Sequence, residues 1–297
     1  MKVVSPGLPD FDYVRAETME QVSELLSNDK NSLPLMGGTD VFVQMRDGTI
    51  SPGLLVDVKH LPGMNSIDGD RSGNLRIGAA VNLNALAAHQ KVVESFPLLV
   101  EAAHAVGSYQ LRSRATMGGN LCNASPAADT APAALVLEAV LVAIGPSGER
   151  RIPAQDFFVG PGQNALQEGE ILKSIEFPQA PKGSVGRYMK LGRNTAGDLA
   201  IVGVAVLGYA DKNSPSGFRF RMALSSVAPT PIRVPEAERI LTREAISDEM
   251  IGEAAHAARQ AAKPIDDVRA SASYRLEMVE VLARRALHAV WTSLKEK

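Results

Sequence analysis

The sequence predicts an α+β protein in two parts, and three observations carry that prediction. In the first half, apolar runs bounded by glycine, proline and aspartate read as strands beside segments of helical period. Pro178 to Gly183 (Pro-Gln-Ala-Pro-Lys-Gly) reads as a linker and a domain boundary. Beyond it, two strand patterns give way to alanine-rich helical segments, the segregation of strands and helices typical of an α+β unit.

Taken in order, Thr18-Met19-Glu20-Gln21 fits a capping box, and Val22, Leu25 and Leu26 continue it as a helical apolar stripe. Leu54 to Val58 and Leu75 to Ala79 read as strands. Pro97 suits the first position of a helix that Gly107 stops. The longest apolar stretch, Ala131 to Ile144, contains Pro132 and Glu138, so it is too short and too interrupted for a membrane span of roughly 20 residues. It reads as a buried helix running into a strand at Val140 to Ile144, and Ile171 to Phe177 follows as another strand. After the linker, Ile201 to Tyr209 and Phe218 to Val227 read as paired strands of a second sheet. Asp248 to Ala262 and Ser271 to Leu294 read as helices, with Met278, Leu282, Ala286, Ala289 and Val290 on one face, the pattern of core packing.

Composition narrows the partners. With 297 residues, 45% hydrophobic and 22% charged, and a net charge of −2, the chain lacks the basic excess that phosphate-rich nucleic acid demands. Met1 to Pro6 carry no leader pattern, so the protein is expected in the cytoplasm. A single cysteine, Cys122, excludes an internal disulfide and an iron–sulfur cluster held by this chain alone. His60, His89, His104, His256 and His288 show no ligand spacing, so no metal site is expected.

Two glycine-paired loops concentrate the chemistry. Leu35-Met36-Gly37-Gly38-Thr39-Asp40 and Ala115-Thr116-Met117-Gly118-Gly119-Asn120-Leu121-Cys122-Asn123-Ala124-Ser125-Pro126-Ala127-Ala128-Asp129 each set two residues without Cβ beside hydroxyl or amide side chains. Consecutive backbone N–H groups are then expected to converge on an anion, and a diphosphate is the guest this suits. Neither loop has the lysine or spacing of a P-loop, which argues for retention of a cofactor over phosphoryl transfer. Arg112 and Arg114 lie just upstream, either adding charge or simply solvated. Gly160-Pro161-Gly162-Gln163-Asn164-Ala165 matches G-x-G-x-x-A, but Pro161 has no N–H to offer and Gly169 follows too soon for a helix, so it reads as a surface turn. A third polar stretch, Arg187 to Ala200, includes Lys190 and Arg193, cations that a cleft could turn toward a developing negative charge.

At these residues the sequence resembles the FAD-binding (medium) subunit of molybdenum hydroxylases, a group that includes carbon monoxide dehydrogenase medium subunits and xanthine dehydrogenase FAD-binding subunits. The resemblance rests on Gly37-Gly38-Thr39-Asp40, on Gln110-Leu111-Arg112 leading into the second loop, and on Tyr188-x-Lys190-x-x-Arg193 with Asp198. Pro229-Thr230-Pro231-Ile232-Arg233, Asp266-Asp267-Val268-Arg269 and Tyr274-Arg275 extend it over nearly the whole chain. Ser113 stands where the family often has asparagine, and Met36 where it often has alanine. The lone cysteine also separates this chain from hydroxybenzoyl-CoA reductase, whose flavin subunit carries its own cluster.

The resemblance implies a two-subdomain FAD-binding region of the vanillyl-alcohol oxidase type over residues 1–178, divided at about 1–55 and 56–178. An α+β domain of the CO dehydrogenase flavoprotein type follows over 184–297. By that resemblance Leu33, Pro34, Leu35, Met36, Gly37, Gly38, Thr39, Asp40 and Val41, with Ala115, Thr116, Met117, Gly118, Gly119, Asn120 and Cys122, hold the diphosphate and its flanks. Val106 and Gly107 lie near the adenine, Asp129 near the ribityl chain, Leu172 against the cofactor and Lys190 near the pyrimidine edge of the flavin. The family further implies a large molybdopterin subunit, a small subunit with two-iron two-sulfur clusters, a dimer of heterotrimers, and NAD, oxygen or a quinone as acceptor. Two other readings stay open: a self-standing flavin oxidase, for which no histidine or paired-carboxylate constellation is evident, and a scaffold that has lost FAD, whose glycine loops would be broken.

Overall fold

The computed structural model describes residues 7–194 and 197–297. Met1 to Pro6, where the leader expectation falls, and Thr195 and Ala196 of the third polar stretch lie outside the described residues. Among the described residues the strands form sheets of three, five, four and two members.

The chain begins with β1 (Asp12–Arg15), α1 (Met19–Asn28), β2 (Ser32–Leu35), α2 (Val41–Arg46) and β3 (Leu54–Asp57). At the start of α1, Thr18 Oγ1 accepts the Gln21 N–H at 3.1 Å, while Gln21 Oε1 accepts the Glu17 N–H at 2.8 Å. β3 lies between β1 and β2 and is parallel to both. Parallel neighbours need a crossover, and α2 supplies the one that carries the first glycine loop.

The chain continues through β4 (Ile67–Gly69) and β5 (Leu75–Gly78), then the short helices α3 (Leu83–Ala88), α4 (Gln90–Ser95), α5 (Pro97–Ala105), α6 (Tyr109–Arg112), α7 (Met117–Cys122) and α8 (Thr130–Val136). β6 (Val140–Gly145), β7 (Gly148–Pro153), α9 (Ala154–Phe157), β8 (Phe158–Gly160), β9 (Gln163–Asn164) and β10 (Ile171–Phe177) complete the first half. The long apolar stretch is α8 followed by β6, as its composition implied. The five-stranded sheet is antiparallel in the order β4-β5-β10-β6-β7, so β10, last in sequence, occupies its centre.

The second half is a four-stranded antiparallel sheet, β11 (Val185–Leu191), β12 (Val202–Ala210), β13 (Phe218–Ser225) and β14 (Ile232–Arg233), with α10 (Pro235–Ile240), α11 (Asp248–Ala261) and α12 (Ala272–Lys295). β12 is apolar almost throughout because both its faces are covered. Ala205 and Leu207 join the core of the first half, while Val204 and Val206 join a second core with α11 and α12. The helical face expected on α12 packs here, with Leu282, Ala286 and Val290 buried. Arg275 is 1% exposed and donates to the carbonyls of Ile201 and Ser226, both at 2.9 Å, and to Asp267 at 2.6 Å. Ser226, at φ +66°, in turn donates its N–H to Pro126 O at 2.6 Å, tying this sheet to the second glycine loop.

Candidate cofactor-binding cavity

The two glycine loops and the third polar stretch meet around a cavity of about 770 Å³. The first loop joins β2 to α2. Gly37 permits its closest approach to the second: a Cβ there would lie 2.2 Å from Arg114 O. Gly38 turns at φ +75°, a conformation that glycine adopts without cost. Thr116 Oγ1 to Met36 Sδ at 3.8 Å and Gln44 Nε2 to Asn123 Oδ1 at 3.2 Å hold the loops together.

The backbone amides of the two loops differ in a way their similar sequences conceal. Among the described residues, the N–H groups of Gly37 to Val41 have no acceptor within the chain. They are consecutive, they lie at the start of α2, and the loop they belong to lines the cavity, which is the arrangement that receives an anion. The second loop corrects the expectation of two converging amide sets. Met117 N–H donates to Val81 O, Gly118 N–H to Ala79 O, Gly119 N–H to Thr116 Oγ1 and Asn120 N–H to Thr116 O. Its amides are taken up in capping α7 and fixing it to the segment between β5 and α3. What this loop offers the cavity is instead the Gly119 surface and the side chains of Asn120, Asn123 and Ser125.

Most residues expected at the site line this one cavity: Leu33, Pro34, Met36 to Val41, Val106, Gly107, Ala115, Thr116, Gly119, Asn120, Cys122, Asp129 and Leu172. Leu35, Met117, Gly118 and Lys190 do not. Leu35 turns into a small core with Met45 and Leu55, and Met117 is fully buried in the main core. Gly118 is pressed against the chain, where a Cβ would meet Ala79 O at 2.5 Å.

Lys190 stands behind the wall, because its ammonium donates to Ala105 O at 2.8 Å, Asp129 Oδ2 at 2.8 Å and Asp198 O at 2.6 Å. An ammonium has three protons, so none is left for a ligand. Asp129, 5% exposed, also accepts the Tyr188 hydroxyl at 2.7 Å. Burial raises its carboxyl above the usual range, against the pull of Lys190 and Tyr188.

Gly197 and Leu199 line the cavity from the third polar stretch, and its wall also draws on residues that spacing did not reveal, among them Thr49, Ile50, Leu166 and Ile171. The G-x-G-x-x-A segment is a hairpin, β8 and β9, whose arms hold the second loop. Gly162 N–H donates to Ala124 O at 3.0 Å and Asn164 Nδ2 to Cys122 O at 2.7 Å. Arg112 donates to the carbonyls of His104, Val106 and Gly107, so it shapes the Val106–Gly107 wall and is not a free charge. Among the described residues no lysine or arginine lines the cavity. Its pull on an anion therefore comes from the open amides. Burial pushes the Cys122 thiol up to about 12, which keeps it protonated although part of the residue faces the cavity.

A cavity of this size, part apolar and part polar, with a row of open amides at one loop suits a large phosphate-bearing cofactor. Comparison with known proteins specifies it. Residues 9–180 match the FAD binding domain in molybdopterin dehydrogenase, and residues 187–290 match the CO dehydrogenase flavoprotein C-terminal domain. The xanthine dehydrogenase FAD-binding subunit of Escherichia coli O157:H7 is 32% identical, over 94% of this chain and 95% of that one. The carbon monoxide dehydrogenase medium chain of Hydrogenophaga pseudoflava is also 32% identical, over 95% and 98%. A solved structure of the carbon monoxide dehydrogenase from that organism, lacking the Mo-pyranopterin moiety of the molybdenum cofactor, superposes with a TM-score of 0.92 over 97% of this chain and 99% of that one. The chain belongs to the FAD-binding subunits of the molybdenum hydroxylase family, and is an oxidoreductase subunit. Among its described residues no helix is long and apolar enough to cross a membrane.

Proposed function

We propose that the chain binds FAD in this cavity and serves as the electron-transfer subunit of a heteromeric dehydrogenase. Electrons from the two-iron two-sulfur clusters of a small partner subunit leave through it to NAD, oxygen or a quinone. A large molybdopterin subunit oxidises the substrate, and the assembly is a dimer of such three-subunit units. The single observation that carries FAD binding is the row of open amides from Gly37 to Val41 in a cavity without cationic side chains. These groups receive the diphosphate, as neutral, fixed dipoles suited to a ligand that stays bound.

When bound, FAD supplies the exchange between single electrons from clusters and a two-electron acceptor. The chain's own task is to bind, orient and shield. Asn120 is fixed by the Thr130 hydroxyl at 2.6 Å, so its amide presents Nδ2 in one direction. Leu172, Ile171 and Leu166 give the cavity a dry side. The lone Cys122 supports cluster ligation by a partner, since a two-iron cluster needs about four ligands.

The test is the visible spectrum of the chain expressed alone, with the released cofactor identified after denaturation. One FAD per chain without iron absorbance is expected. A folded but colourless protein that takes up no added FAD would sink the reading.

A further inference from the structure

We propose that Lys190 is a positioning residue that assembles the cavity wall from both halves of the chain, acting through Asp129, Ala105 and Asp198 and not on the bound cofactor. This rests on the reading of the cavity as an FAD site. Each of the three acceptors belongs to a separate stretch of wall. Ala105 ends α5 and leads directly into Val106 and Gly107, both of which line the cavity. Asp129 lines it from the start of α8, and Asp198 lines it from the second half of the chain.

The geometry follows from β11. Residues two apart on a strand share a face, so Tyr188 and Lys190 point together toward the first half. Tyr188 holds Asp129 Oδ1 and Lys190 holds Oδ2, leaving the carboxylate fixed at both oxygens. Lys190 then reaches a helix-end carbonyl and a loop carbonyl as well. A compact ammonium can serve three divergent acceptors, whereas the planar fork of arginine cannot. Without it, three wall segments lose their common point of attachment, and one of them keeps a buried carboxylate.

Binding and redox measurements on the full chain separate this role from direct contact with the flavin. Lys190→Met, Lys190→Arg, Asp129→Asn and the double variant Lys190→Met/Asp129→Asn are compared by FAD titration, with circular dichroism and melting as checks on folding. Expected is a loss of FAD affinity of roughly tenfold or more in Lys190→Met, no rescue by Lys190→Arg, and a double variant no weaker than Lys190→Met. In the double variant, which removes the ion pair as a neutral unit, the bound flavin keeps its reduction potential.

Additive losses, rescue by Lys190→Arg together with a lowered potential in the double variant, or unchanged affinity in Lys190→Met would each overturn the proposal. Should Lys190→Met fail to fold, Lys190→Arg and Asp129→Asn decide it on affinity: both must weaken binding. A wild-type chain that binds no FAD would instead refute the site reading on which this one stands.

Discussion

Changing Gly119 to aspartate separates the fold of the second loop from its place at the cavity. A Cβ at Gly119 meets only Thr116 Oγ1, at 2.9 Å, and otherwise enters the open space of the cavity. The fold therefore loses little beyond the cap that Thr116 Oγ1 gives the Gly119 N–H, about 1 kcal/mol. At about 2–4 °C per kcal/mol, the melting temperature falls by only a few degrees. The ligand suffers far more. A carboxylate about 4 Å from a phosphate charge, at an effective permittivity near 20, costs about 4 kcal/mol. That is nearly a thousandfold in affinity. Purified Gly119→Asp is expected to be folded, to melt slightly early and to carry almost no FAD, as read from the flavin-to-protein absorbance ratio. Gly119→Asn, of similar bulk without the charge, is expected to retain more. Wild-type FAD content in Gly119→Asp would refute the placement of the phosphate beside this loop.

The neighbouring glycine should fail in the opposite manner. Gly118→Ala forces a methyl to within 2.5 Å of Ala79 O, and overpacking of this kind costs about 1–3 kcal/mol, so thermal melting drops in the absence of FAD; an unchanged apo melt contradicts it. Acid should erase the Arg193–Asp198 contribution. The Arg193 side chain, then the N–H groups of Arg193 and Leu199, hold the Asp198 carboxyl down at about 2. A folded value below the unfolded one means stability that is present above about pH 4 and lost as pH falls toward 2. The melting difference between wild type and Arg193→Gln is thus full at pH 6 and shrinks below pH 4, and a gap that widens on acidification would contradict it. Native Cys122 should resist iodoacetamide at pH 8, since its thiol is pushed up to about 12, and should react once the chain is denatured. Rapid labelling of the native protein would show the thiol to be exposed and ionised.

The fold was legible where apolar period and boundary residues agreed. Thr18 and Gln21 marked the start of α1, and Pro97 and Gly107 bracketed α5 to within about two residues. α7 was hidden because Gly118 and Gly119 disfavour a helix. It forms through the Thr116 cap and through amide bonds to Ala79 and Val81, partners far away in sequence. β11 was hidden for a different reason. Its inward side chains include Tyr188 and Lys190, whose polarity hides the strand's buried face until Asp129 is placed opposite them. The same limit applies at the site. Spacing located both glycine loops, but which loop has free amides depends on hydrogen bonds across the fold. Residues such as Leu166 and Ile171 reach the cavity only through the path of β10 and the turn before it.

The central position of β10 bears on how the protein is made. β5 and β6 pair on either side of it and not with each other, so both present unsatisfied edges until Ile171 to Phe177 have been synthesised. Pairing across so long an intervening stretch is a non-local closure, the kind that slows folding and leaves strand edges open to aggregation. Both glycine loops have left the ribosome by then, yet the strand that supplies Ile171 and Leu172 to the cavity has not. Lys190 comes later still. The cavity is therefore complete only once strands from both halves of the chain exist, so the site that takes FAD is among the last parts of the fold to close.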